Sequence, residues 1–127
     1  MSLTGFIELY RYVAFNWGEH DCCLFAANWL AVNGVADLAA EFRGKYATEL
    51  GAMRAIRRAG FATISALLET KLGPGLSPLT LTRGAVVLLD TPQGDVVGIY
   101  QGHDCFALAQ EGLVSYPKTH IKMGWNV

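Results

Sequence analysis

Cysteine and net charge are both scarce in this chain of 127 residues, and each scarcity excludes something. Three cysteines, Cys22, Cys23 and Cys105, make a poor disulfide framework, being odd in number and adjacent in two cases. They also lack the repeated two-to-four-residue spacing of a zinc site, so no metal is expected. Ten basic against eleven acidic residues leave a net charge of −1. Without a broad basic face, nucleic acid is not an expected partner. The apolar run Cys22–Ala27 stops at Asn28, far short of the roughly 18 residues of a membrane helix, so no membrane association is expected. Met1–Gly5 carries neither a basic leader nor an apolar core, so the expectation is no signal peptide and a cytoplasmic location at synthesis. Gly44-Lys45-Tyr46 is too short for a phosphate loop, and no cofactor is expected.

What is present is apolar residue, at 52%, with only 17% charged, the composition of a folded domain. Residues 1–127 read as one domain. Ser2 or Thr4 caps a first helix running to about Phe15, with Phe6, Leu9, Tyr10 and Val13 on one face. Asp21 caps a second, from Cys22 to a stop at Asn33-Gly34. It is apolar nearly all round and is therefore the buried central helix. Asp37–Phe42 reads as a short helical piece, and Thr48–Ala59 and Thr63–Leu72 as two more helices. After the connector Gly73–Pro78 the period changes. Ala85–Leu89, Val96–Gln101, Cys105–Ala109, Leu113–Tyr116 and Ile121–Val127 are strands too closely spaced for anything but antiparallel pairing. The fold class is α+β, with N-terminal helices packed on a small, strongly bent C-terminal antiparallel sheet.

The sharpest local feature is Trp17-Gly18-Glu19-His20-Asp21-Cys22-Cys23, which sets a cysteine in the first turn of the central helix. The field of a helix N-terminus favours thiolate, and its free N–H groups can receive an oxyanion. Cys22 and Cys23 lie about 100° apart around the axis, so Cys22 is expected in a cleft and Cys23 in the core. Arg54, Arg57 and Arg58 share a helical face suited to solvent or to an acidic partner. Trp17, Trp29 and Trp125 read as packing residues, with Trp17 also placed to wall a cleft.

Asp21-Cys22 at the start of a buried helix, followed by the strand Val97-Gly98-Ile99-Tyr100-Gln101-Gly102, resembles the NlpC/P60 family of papain-like cysteine peptidases. It resembles in particular the small members encoded beside phage and prophage tail genes. The resemblance covers about Trp17 to Ala109. It implies a papain-like fold, Cys22 as nucleophile and an ancestral task of cleaving an amide in the peptidoglycan stem peptide. The family's catalytic His falls at Val96, its orienting polar residue at Leu108, and its Gly-Asp pair at Gly84-Ala85. Only Cys22 of the catalytic set is kept. The implied product is an inactive or weakened hydrolase used in tail assembly or tip structure and carried in a phage tail or virion. Its implied partners are tail proteins or a peptidoglycan peptide.

Two rival readings stand beside this one. An active hydrolase would use His20 or His120 as base. A plain binding module would hold a peptide or protein in the old cleft, with Trp17, Val96 and Leu108 lining it. Strand alternation is expected to put Val96, Gly98 and Tyr100 toward Cys22 and to point Asp95 away. His103 lies about 23 Å beyond Val96 along the strand. An apolar wall at Val96 would raise the Cys22 pKa and make the thiol sluggish.

Overall fold

The computed structural model describes residues 1–127. It is α+β, with four helices and a five-stranded antiparallel sheet. The helices are α1 (Leu3–Tyr10), α2 (Cys22–Val32), α3 (Glu49–Arg58) and α4 (Ile64–Leu72). The strands are β1 (Val86–Thr91), β2 (Gly94–Tyr100), β3 (Asp104–Ala109), β4 (Gly112–Pro117) and β5 (Ile121–Trp125). No helix is long and apolar enough to cross a membrane.

Each helix begins where a side chain supplies the missing acceptor for a first-turn N–H. Ser2, Asp21, Thr48 and Thr63 accept from the N–H three residues on, at Gly5, Leu24, Gly51 and Ala66. Two expectations about helices need correction. The first helix ends at Tyr10, not near Phe15, and Leu9 faces solvent. Residues 37–42 form turns instead of a helix. The Asp37 carboxylate there accepts from the Ala39 N–H and from the Arg43 guanidinium, a local alternative to helical bonding. Arg43 also donates to Asn28, whose amide meets Tyr10, so this turn is tied to α2 and α1.

The strand order is β4-β3-β2-β1-β5. β4 and β5 are opposite edges, yet only Lys118–His120 connects them. Four residue steps span at most about 14 Å. Four strand spacings in a flat sheet come to about 19 Å. The sheet therefore has to curl, and the curl gives it two different apolar faces. Outside, Val86, Leu88, Val97, Ile99, Leu108 and Trp125 meet α1 and α2. Inside the curl, Val87, Leu89, Cys105 and Ala107 are sealed by Leu81, Val96, Tyr100, Tyr116 and Ile121. Cys105 thus shares a face with Ala107, opposite Leu108, and is a free thiol, as strand alternation from β3 anticipates.

α2 is covered on two sides, which explains why it has no polar face. Phe25, Ala26, Trp29 and Leu30 pack toward α1 and the sheet, while Leu24 and Ala27 pack on Ala39. The Phe6 ring lies 4.9 Å from Tyr10, 5.5 Å from Phe25 and 5.2 Å from Trp29, contacts worth about 0.5–1.5 kcal/mol each beyond area burial. Trp29 Nε1 donates to the Gly84 carbonyl at 2.7 Å and pins α2 to the approach of β1.

At Gly98 on β2, the neighbouring β3 leaves no room for a side chain. A Cβ there would lie 2.7 Å from the Phe106 carbonyl oxygen and 3.0 Å from Leu89 Cδ1. Gly98→Ala should cost about 2–3 kcal/mol by forcing β3 off β2. Gly34→Ala, with open space but φ of +86°, should cost only about 1 kcal/mol. Urea unfolding of the two variants checks the ordering, and equal costs would contradict it.

Candidate functional site

The segment before α2 folds back on itself so that the helix can begin abruptly. Asn16 and His20 pair through backbone bonds of 2.9 and 2.8 Å. Gly18 sits between them at φ +83°, and a Cβ there would fall 2.1 Å from the Tyr46 carbonyl oxygen. Asp21 then turns extended, and its buried carboxylate collects three donors. These are the Leu24 N–H at 3.0 Å, the Gly18 N–H at 3.1 Å and the Tyr46 hydroxyl. Burial and the Asp21 charge together hold the Tyr46 phenol well above its ordinary pKa.

Cys22 follows as the first residue of α2. It opens on a cleft of about 420 Å³ whose walls include Trp17, Glu49, Met53, Arg57, Asp95 and Val97. A tighter, largely apolar cavity of about 80 Å³ lies behind it, among α2, α3, α4 and the 38–46 turn. Cys23 lines the same cleft, contrary to the expectation that it would be turned wholly into the core. Its sulfur is 4.0 Å from the Cys22 sulfur, and its side chain also packs on the main core.

The strand facing Cys22 is set differently from the sequence expectation. Tyr100 exchanges backbone bonds with Gly84 and Ala85, so alternate residues of β2 point their N–H groups to β1 and the others toward β3. Val97 belongs to the second set, yet β2 pairs with β3 only at Ile99 and Tyr100. Val97 lines the cleft with Cys22, and its backbone helps to lower that thiol. Val96, expected opposite Cys22, lies inside the curl of the sheet. Asp95, expected to point away, is on the cleft wall, where both its oxygens lie 3.2 Å from Lys122 Nζ. Leu108 is fully buried in the main core and lines no cleft.

None of the three imidazoles lines this cleft. His20 is exposed on the folded-back segment. The His103 side chain is 83% exposed at the turn between β2 and β3. His120 lies by Asp90 and Thr91, with its Nδ1 buried and without a partner. Of the cleft residues expected from sequence, Cys22 and Trp17 are brought together, with Asp21 directly beneath as the cap. Arg57 is expected on a face for solvent or an acidic partner, Cys23 in the core and Asp95 pointing away, while Glu49 carries no signal in the sequence. The parity of β2, hidden by apolar residues on both faces, is what conceals Asp95 and Val97.

The electrostatics separate the three thiols. Cys22 is lowered from the ordinary thiol range, chiefly by the Cys23 thiol donating to it, with the Val97 N–H adding to the effect. Burial and the Asp21 charge oppose this without overcoming it, so the expected raised pKa of Cys22 is corrected to a lowered one. Cys23, as the donor and partly desolvated, is held well above that range. Burial pushes Cys105 up to about 12. A nucleophilic sulfur, donors at a helix N-terminus and an open cleft are assembled here. A proton relay is not.

The chain belongs to a family defined as a domain of unknown function, DUF6950, whose model matches residues 1–127. No curated protein and no solved structure matches it.

Iodoacetamide should modify Cys22 first and leave Cys105 untouched in the native protein. The pH profile for Cys22 should have its inflection below that of a free thiol. Cys23→Ala should move that inflection upward, and site-resolved mass spectrometry reads both. Asp21→Ala should lower stability by about 2–4 kcal/mol, since the cap is lost and buried donors are stranded. Asp21→Asn, which keeps an acceptor for Leu24, should cost less, and denaturant midpoints decide between them.

Proposed function

We propose that this is a papain-like domain of NlpC/P60 type, associated with phage or prophage tails, which has kept its cysteine cleft and given up peptide hydrolysis. By descent its cleft suits a peptide of the peptidoglycan stem class. Its present use is to hold a peptide or tail-protein segment during tail assembly or at the tip. The observation that carries the reading is Cys22 at the mouth of the α2 N-terminus, in an open cleft that no imidazole lines. A thiolate can attack an amide carbonyl there, but the departing amine needs a proton. The Cys23 thiol is held too high to be a useful acid, and Asp95 is engaged by Lys122. Backbone N–H groups stabilise charge and transfer no proton. Loss of general acid–base help is worth 10²–10⁴-fold in rate, which leaves binding as the dominant property.

Purified protein incubated with soluble muropeptides should yield no cleavage above buffer by liquid chromatography and mass spectrometry. Cleavage abolished by Cys22→Ser would overturn the non-hydrolytic reading and make this a working thiol hydrolase. A gain-of-function pair tests the geometry. Asp95→His places an imidazole on the cleft wall and should speed Cys22 alkylation on the order of tenfold, below the full range of an evolved base. Val96→His places one inside the curl and should leave the rate unchanged. The reverse result would show that β2 presents its other face to Cys22.

A further inference from the structure

Cys22 and Cys23 form a vicinal dithiol that the cleft leaves open, and this pair has chemistry separate from hydrolysis. Adjacent Cα atoms are about 3.8 Å apart, below the usual disulfide range of about 4.4–6.8 Å, so the two thiols have no easy disulfide to close while α2 keeps its first turn. Both side chains are partly exposed, both line the same cleft, and their sulfurs stand 4.0 Å apart. We propose that Cys22 and Cys23 together bind one soft monovalent metal ion, of the Cu(I) class, as a two-sulfur site.

Two metal–thiolate bonds of about 2.3 Å span at most about 4.6 Å in the near-linear arrangement that two-coordinate Cu(I) prefers, so the 4.0 Å sulfur pair has to open by about 0.6 Å, within reach of rotating the two side chains with α2 unmoved. Ions that demand four ligands or an oxygen shell find none here. Asp21, the nearest carboxylate in the chain, already accepts from Leu24, Gly18 and Tyr46. Glu49 and Asp95 line the same cleft, but no three His, Cys, Asp or Glu side chains are placed to hold one metal ion. Soft thiolate ligands favour Cu(I) over harder ions. Binding forms two S–Cu bonds as the thiol protons leave to solvent, with the ion arriving already monovalent and no electron transferred. The resulting centre carries one net negative charge, which the positive end of α2 offsets. A metal-occupied pair has no free Cys22 thiolate, so the ion would also close the cleft to thiol-directed ligands.

The test is an anaerobic titration of the full chain with Cu(I) in competition with a chromogenic chelator such as bicinchoninate. One Cu(I) per chain is expected, with two sulfur neighbours by X-ray absorption. Cys22→Ser and Cys23→Ser should each return the copper to the chelator, and Cys105→Ser should retain it. Iodoacetamide competition on the unmodified protein covers the case of a misfolded variant, since one equivalent of Cu(I) should suppress Cys22 labelling at least tenfold. Copper left wholly on the chelator, retention by Cys23→Ser, three or more sulfur neighbours, or unprotected Cys22 would each overturn the two-sulfur site. Muropeptide cleavage is not read in any of these arms, so the outcome is independent of the hydrolysis question.

Discussion

The carboxylate of Asp21 is the point on which three separate stretches of chain converge. It ends the folded-back segment through Gly18, starts α2 through Leu24, and takes the hydroxyl of Tyr46 just before α3. Remove it and the first turn of α2 loses its cap, the tight approach of Gly18 to the Tyr46 backbone loses a tie, and α3 is no longer held near the cleft. Because Cys22 is the next residue, the anchoring of this one side chain also fixes where the sulfur emerges. A buried carboxylate is tolerable because three donors meet it, two of them only three residues away, and the positive end of the helix lies directly ahead of it.

The second constraint is the curl of the sheet. The three-residue link from β4 to β5 pulls opposite edges together, and β2 and β3 stay paired only near their shared turn. On the face of β2 toward α2, Val97 stands beside Cys22 and Cys23 at the cleft, and its backbone helps to lower the Cys22 thiol. A lowered Cys22 stands next to a raised Cys23, since one sulfur gathers donors while the other supplies one.

Much of the architecture could be read without coordinates, for identifiable reasons. Helix starts follow Asp21, Thr48 and Thr63 because a short polar side chain is a local device that needs no tertiary partner. The strands follow the tight turns at Pro92-Gln93 and Gln110-Glu111, where spacing alone enforces antiparallel pairing. Helix extents were less legible. Tyr12 and Val13 continue a plausible apolar stripe past Tyr10, and Asp37 looks like a cap although its carboxylate is spent on Arg43.

The sequence by itself determined that a cysteine opens a buried, Asp-capped helix and that the helices precede a bent antiparallel sheet. Those features rest on local caps, turns and hydrophobic period. Tertiary structure alone decided which face of β2 meets that cysteine. β1 and β2 are apolar on both sides because the curl buries both, so alternation carries no parity signal, and Val97 with Asp95, not Val96, stands at the cleft. The same long-range packing put Cys23 beside Cys22 in one opening, where two adjacent positions of the first turn of α2 face the cleft together with Asp95 and Val97.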